Sequence, residues 1–151
     1  METKSQGHSA RGKLFTDFVF QFFEVYGLLY EQGEKIAGSE SQAPGEWQVL
    51  GAIEQAPLTM SQIGRRMGMT RQGVRRIANK LLTQGLIHNV PNQDHQTAAL
   101  LELTDLGRAK LENMNSKQVG WANQVGQAFS QEALETTIQF MAKMIQVLEP
   151  V

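Results

Sequence analysis

The sequence predicts a mainly α-helical fold with one two-stranded β-hairpin. Three observations predict it. Apolar residues recur at helical spacing over most of the chain, a Ser or Thr stands where four of these segments begin, and two short apolar runs flank one polar loop. The 151 residues are 41% hydrophobic and 19% charged, a composition that supports an ordinary hydrophobic core.

The same composition excludes several classes of protein. The chain has no cysteine, so disulfides, cysteine-ligated zinc and a thiol redox switch are excluded. Residues 1–12 are polar, lack the apolar core of a secretory signal and are predicted to form a flexible tail. Polar residues interrupt the most apolar stretch, which argues against a membrane span. We therefore expect a cytoplasmic protein with no membrane partner.

A long N-terminal helix is predicted over residues 13–36, where apolar side chains recur at steps of three and four. Seven of the 11 aromatic residues lie between Phe15 and Tyr30, so the helix is apolar on most of its sides. A helix of this kind is buried on most sides. One small domain has too little surface to cover it, which favours a second subunit as its partner.

Two short helices joined by a tight turn are predicted next. After a linker rich in Gly and Ser, a helix is expected to begin at Pro44 or Gly45 and to end at Pro57. Residues 59–62 then fit a capping box at the start of a helix that ends at Gly68. Thr70 caps a second helix that runs to Gln84, and Gly85 suits the left-handed position that follows a helix. The spacing is that of a helix-turn-helix.

A β-hairpin follows this helix pair directly. Residues 86–90 and 99–103 read as strands on either side of a polar loop at 91–97. The order helix, turn, helix, hairpin is that of a winged helix. The predicted winged-helix domain covers residues 44–105.

Two further helices are predicted at the C-terminus, capped by Thr104 and Ser130. Their apolar residues repeat at alternating steps of three and four, as in coiled-coil seams. Packing within one chain and pairing with a second subunit both explain such seams. We favour the second, and expect residues 13–36 and 106–151 to form a helical dimerisation lobe.

Basic residues are concentrated in the middle of the chain. The net charge is −1, yet residues 55–93 contain no Asp or Glu and six Arg or Lys. An uncompensated basic segment indicates a polyanionic partner, and a solvated charged face is the alternative. Arg65 and Arg66 are equally consistent with phosphate contacts and with simple solvation.

The helix that starts after Thr70 carries the functional prediction. Its apolar side chains lie on one side, and Arg, Gln and Asn lie on the other, where their donors and acceptors match the edges of bases. A helix-turn-helix reads bases with the first part of its second helix. The predicted base-reading residues are Arg71, Gln72 and Arg75. The predicted phosphate-binding residues are Thr59, Ser61, Gln62, Thr70, Arg76 and Lys80.

Three motifs in this region carry a resemblance to a known family. They are residues 58–74 (LTMSQIGRRMGMTRQGV), residues 81–87 (LLTQGLI) and residues 103–107 (LTDLG). In this order they resemble the helix-turn-helix, the entry into the wing and the junction after the wing of the MarR family of bacterial transcriptional regulators. The resemblance implies a sequence-specific DNA-binding regulator that binds a palindromic operator as a homodimer. It also implies repression in many cases, relieved by a small effector.

The wing departs from that family pattern. The resemblance implies an Asp followed by an Arg that enters the minor groove. Here Asp94 is followed by His95 and Gln96. A narrow minor groove attracts Arg through its negative potential, whereas histidine is charged only in mildly acid solution. The sequence therefore predicts DNA affinity that is weaker, or that rises at acid pH.

Ligand binding and catalysis are less visible in the sequence. Phe18, Phe22, Tyr26 and Trp47 are candidates for lining an effector pocket, although aromatic residues at helical spacing are also typical of plain core. No metalloprotease, P-loop or dinucleotide motif is present, so no enzyme activity, metal site or cofactor is predicted. The alternative function is a protein-interaction adaptor without specific DNA binding. Exposed apolar anchors on the second helix would favour it, and that helix shows Arg, Gln and Asn instead.

Overall fold

The computed structural model describes residues 7–41 and 43–149, and the winged-helix order predicted from the sequence is confirmed there. Residues 38–40 form a single 3₁₀ turn, and the two strands form one antiparallel sheet. The remaining elements, in chain order, are α1 Ala10–Ala37, α2 Glu46–Ala52, α3 Met60–Met67, α4 Arg71–Thr83, β1 Ile87–Val90, β2 Leu100–Leu103, α5 Asp105–Gly126 and α6 Gln131–Leu148.

The predicted helix caps are confirmed. The amide of Gln62 donates to Thr59 Oγ1 at 3.2 Å, and Gln62 Oε1 accepts from the amide of Thr59 at 2.9 Å, which completes the capping box. The hydroxyls of Thr70, Thr104 and Ser130 each accept from the amide three residues ahead. These contacts satisfy backbone donors that a helix start leaves unpaired.

Two predicted helix boundaries are wrong. Helix α1 begins at Ala10 rather than residue 13, because the Ser9 hydroxyl accepts from the amide of Gly12 at 3.0 Å and caps it there. The predicted flexible tail therefore overlaps α1 at residues 10–12, and its residues 1–6 lie outside the described part of the chain. Helix α2 ends at Ala52, well before Pro57. The segment after Ala52 leaves the helical path and reaches the hairpin, where Leu58 exchanges two backbone hydrogen bonds with Leu101 of β2.

The turn between α3 and α4 depends on two glycines. Gly68 has a φ of 63°, a left-handed conformation that favours glycine. At Gly64 a Cβ would lie 2.7 Å from the carbonyl oxygen of Met69, so the closeness of the two helices requires the absent side chain. The Met69 amide also donates to the Gly64 carbonyl at 2.8 Å. The two helices are thereby held at one fixed spacing.

A single hydrophobic core joins the winged helix to the long helices. Val49, Leu50, Ile63 and Val74 are fully buried in it, together with Leu101 and the other inward residues of α4 and the hairpin. Leu111 and Met114 of α5, and Ala37 at the end of α1, belong to the same core. The predicted boundary between the winged-helix domain and the dimerisation lobe, at residues 105/106, thus lies within one continuous hydrophobic core. At Leu111 and Met114 the apolar repeat of α5 therefore packs against the core of its own chain.

The outer parts of α1, α5 and α6 leave their apolar side chains uncovered. Helix α6 contains no buried residue among those described, although Phe140 meets Phe18 of α1 edge-on at a ring separation of 5.2 Å. Phe20 of α1 is 71% exposed and Ile138 of α6 is 67% exposed. None of the helices in the described residues combines the length and apolar character needed to cross a bilayer.

Candidate nucleic-acid interface

Helix α4 is fixed to the fold by one apolar side and presents the other side to solvent. Val74, Ala78 and Leu81 are completely buried, and Ile77 is 2% exposed. The predicted contact residues Arg71, Gln72, Arg75, Arg76 and Lys80 all lie on the exposed side. The helix therefore has the amphipathic placement that docking into a major groove requires.

Successive residues of a helix are about 100° apart. The polar residues of α4 therefore lie on two sides of the helix, called flanks here, and on an outward ridge between them. Arg71 and Arg75 lie on the flank that faces the start of α3 and the hairpin. Together with Thr59, Ser61 and Asn89 they line a surface depression with a volume of about 440 Å³. Predicted base-reading and phosphate-binding residues thus meet in one depression.

Gln72 lies outside this depression, on the outward ridge of α4, whereas Asn79 on the same ridge also borders the depression. Residues on the ridge face most directly away from the core. They are therefore positioned to go deepest into a groove that admits the helix.

The opposite flank of α4 carries Arg76 and Lys80. Arg76 lies near Tyr30 of α1. Burial raises the pKa of Tyr30, the nearby Glu34 carboxylate adds to that rise, and the positive charge of Arg76 acts against it. Lys80 borders a separate shallow depression with Asn79 and Thr83. Cations on both flanks give α4 the means to meet phosphates on both walls of a groove.

The capping residues retain donors for a phosphate. Thr59 and Thr70 use a hydroxyl lone pair to accept a backbone amide, which leaves the hydroxyl hydrogen able to donate. Gln62 uses only its carbonyl oxygen in the capping box, so its amide group also retains donors. The helix-capping roles of Thr59, Gln62 and Thr70 are therefore compatible with the phosphate contacts predicted for them.

The arginines of α3 and α4 form no ion pair with any residue of the described ranges 7–41 and 43–149. Arg66 only approaches the Ala52 carbonyl, at 3.4 Å. Unpaired arginines on one face produce the positive potential that attracts a polyanion.

The wing loop is shaped by Asn92 and exposes the three predicted wing residues. The Asn92 side-chain amide donates to the Ala98 carbonyl at 2.9 Å, and its Oδ1 accepts from the Asp94 amide at 3.1 Å. Asp94, His95 and Gln96 are exposed at the tip. The loop is therefore positioned as a wing but carries no arginine.

A cavity of about 330 Å³ lies where α1 and α5 meet α2. Trp47, one of the predicted pocket residues, forms part of its wall opposite Trp121 of α5. Phe18, Phe22 and Tyr26 do not line it. They form an aromatic row along α1 with neighbouring ring centroids 6.1–6.5 Å apart, in which Phe18 contacts Phe15 and Phe22, and Tyr26 contacts Tyr30.

Sequence reasoning missed two partly buried polar contacts at the start of α2. Lys110 of α5 pairs with the buried carboxylate of Glu46 at 2.6 Å. Glu34 of α1 accepts from Trp47 Nε1 at 2.7 Å and from the Gly45 amide at 2.9 Å. Both contacts tie the start of α2 to the long helices. Glu46 and Lys110 are 64 positions apart, and Glu34 is 11 and 13 positions from its two partners. No local sequence pattern marks either contact.

The comparisons with known proteins agree with this arrangement. The sequence model of the MarR family matches residues 43–96. An uncharacterized protein of Mycobacterium tuberculosis is 37% identical over 131 residues, covering 87% of this chain and 92% of its own length. This chain belongs to the MarR family. It is a winged-helix transcriptional regulator and not an enzyme.

Solved MarR-family structures share the whole fold. The transcriptional repressor CouR, bound to a 23-mer DNA duplex, has a TM-score of 0.70 at 16% identity and covers 91% of this chain and 99% of its own. NadR in complex with 4-hydroxyphenylacetate has a TM-score of 0.74 at 16% identity and covers 99% of this chain and 100% of its own. At this identity the likeness concerns the fold alone.

Proposed function

We propose that this MarR-family protein is a homodimeric repressor that binds a palindromic operator and leaves it when a small molecule binds. The observation that carries the proposal is the unneutralised arginine face of α4, with the start of α3 on one side and the wing beyond it. Arg71, Gln72 and Arg75 read bases in this proposal.

Phosphates are bound on both sides of the recognition helix in this proposal. Beside the first flank lie the start of α3 and the cap of α4, and on the second flank lie two cations. The residues assigned to phosphates are Thr59, Ser61, Gln62, Thr70, Arg76 and Lys80. Contacts of this kind set the position of the protein on DNA without specifying sequence.

The second subunit is proposed from the uncovered apolar surface of the long helices. Leu14, Phe20 and Phe23 of α1 and Ile138 of α6 are each more than 60% exposed. Large apolar side chains exposed in this number indicate an interaction site. A two-fold dimer covers the same surface on both chains and places two α4 helices for half-sites about 34–36 Å apart.

Repression and an effector are proposed by analogy and from the cavity. CouR is a repressor bound to DNA, and NadR binds 4-hydroxyphenylacetate. In this chain the cavity beside Trp47 touches α2, which packs on both helices of the helix-turn-helix. A ligand that changes this packing changes the separation of the two α4 helices and lowers operator affinity.

The test is selection of bound sequences from a pool of random duplex DNA by the full chain at two salt concentrations. Enrichment of an inverted repeat, with affinity that falls steeply as salt rises, is the expected result. Weak binding with no enriched sequence would contradict the proposal and favour the protein-interaction adaptor.

A further inference from the structure

We infer that the cavity between α1, α2 and α5 is selective for an uncharged, planar aromatic molecule and rejects carboxylates. The regulatory meaning of this binding rests on the proposed function. The binding itself does not, because it follows from the walls of the cavity alone.

The size of the cavity limits the ligand to one or two rings. Its volume of about 330 Å³ is near the lower end of the range for ligand pockets, roughly 300–1,000 Å³. An engineered apolar cavity of about 150 Å³ holds one benzene ring. The cavity of this chain therefore accommodates a small aromatic compound.

The walls consist of apolar side chains, among them Leu29, Ile36, Leu111 and Met114, together with aromatic faces and neutral amides. Trp47 and Trp121 contribute indole rings, and Gln48, Asn115 and Gln118 contribute amides. Among the described residues that line the cavity, none is Asp, Glu, His, Lys or Arg. Burying a carboxylate with no cationic partner costs far more free energy than burying a neutral amide that finds hydrogen bonds. An acidic ligand is therefore disfavoured.

Two of the side-chain donors in the wall already donate to carboxylates outside it. The Trp47 indole N–H donates to Glu34 at 2.7 Å, and the Asn115 side-chain amide donates to Glu54 at 2.9 Å. The negative charges of these two carboxylates disfavour an anion in the cavity. Neither carboxylate is part of the cavity wall, so a cationic ligand finds no direct partner either.

The Trp47 ring is held in place before any ligand binds. Its N–H is bound to Glu34, and its six-membered ring lies against Gly33 of α1, where a Cβ would overlap it. A fixed aromatic wall favours a flat ligand that packs edge-on or offset against it. Preorganisation also lowers the entropy cost of binding.

Three ligands of nearly identical shape test the inference: benzamide, benzoate and benzamidine are neutral, negative and positive. They are titrated into the full chain while tryptophan fluorescence is recorded. The only two tryptophans of the sequence both line the cavity, so the signal reports this site. Ligands of this size bind in roughly the millimolar range or better when they fit, and the titration extends through that range.

Benzamide is expected to bind at least about tenfold more tightly than either charged ligand, because an unpaired buried charge costs more than the 1.4 kcal/mol that a factor of ten represents. Equal or tighter binding of benzoate or benzamidine overturns the inference. Failure of all three to bind overturns it as well.

Gln118→Arg adds a cation to the wall and is expected to reverse the order in favour of benzoate. Ser116→Arg makes a similar change on an exposed position of the same helix outside the cavity, and should keep the wild-type order. If Gln118→Arg does not fold, the wild-type series still decides. Operator binding is measured separately without ligand: its failure with the benzamide preference intact contradicts the proposed function and leaves the inference standing.

Discussion

At the scale of single residues, the most consequential contact is the ion pair between Glu46 and Lys110. The Glu46 side chain is 2% exposed and that of Lys110 is 14% exposed, and their charged atoms are 2.6 Å apart. Glu46 also accepts from the Ala43 amide at 3.2 Å. The pair holds the start of α2 against α5, so it sets the position of the helix-turn-helix relative to the proposed dimer lobe.

Lys110→Met is expected to lower the free energy of unfolding by about 3–5 kcal/mol, because it removes the cation that compensates the buried charge of Glu46. Chemical denaturation of both forms measures the difference. Lys117→Met is the matched control, since Lys117 is 46% exposed and 3.8 Å from Glu40, and it should change stability by less than about 1 kcal/mol. Equal effects of the two substitutions would show that Glu46 does not depend on its partner.

Contacts between residues close in the sequence were predictable, and long-range contacts were not. The capping box of Thr59 and Gln62 is a four-residue pattern with a fixed geometry. Glu46 and Lys110 are separated by 64 positions, and Glu34 and Trp47 by a turn whose path no local pattern determines. Their pairing depends on how the helices pack.

At the scale of elements, the hydrophobic period predicted α4 well, because its buried residues follow a strict helical repeat. Which flank of α4 faces the wing was not predictable, since it depends on the packing of the hairpin. The end of α2 was missed for a similar reason: the chain leaves the helical path after Ala52 and runs to the hairpin, where Leu58 pairs with Leu101. Of the predicted pocket residues only Trp47 lines the cavity, because the row of aromatic residues follows another side of α1.

The wing gives a prediction at the same scale. Gln96→Arg places a permanent cation at the exposed tip, where the protein has only His95 beside Asp94. The substitution should tighten DNA binding and increase the slope of log affinity against log salt by about 0.9, the value for one additional neutralised phosphate. Affinity measurements at several salt concentrations provide the slope.

Gln131→Arg carries the same added charge at the start of α6, away from α4 and the wing, and serves as the control. An equal gain from both variants would mean that net charge alone strengthens binding. In that case the tip of the wing has no contact of its own with DNA.

At the scale of the whole molecule, the account requires a second copy of the chain. Phe20→Glu places a charge at an apolar position of α1 that is 71% exposed in one subunit. It should convert the dimer to a monomer in sedimentation experiments. It should also lower affinity for a two-half-site operator by roughly 10²–10⁴-fold, because the second half-site is then no longer bound intramolecularly.

Leu106→Glu is the control for this substitution, since Leu106 is 60% exposed but lies in the first turn of α5, next to the hairpin. It should leave the dimer intact. A Phe20→Glu variant that remained a dimer would show that this face of α1 is not the interface.

The central claim, that α4 reads DNA sequence, is tested most directly by measuring Arg75→Ala and Lys80→Ala on the selected operator and on a scrambled duplex. Arg75→Ala should cost about 1–3 kcal/mol on the operator and little on the scrambled duplex, because it removes a base contact. Lys80→Ala should weaken both duplexes alike and reduce the salt slope by about one. Loss of affinity for both duplexes to the same extent in Arg75→Ala would contradict the claim.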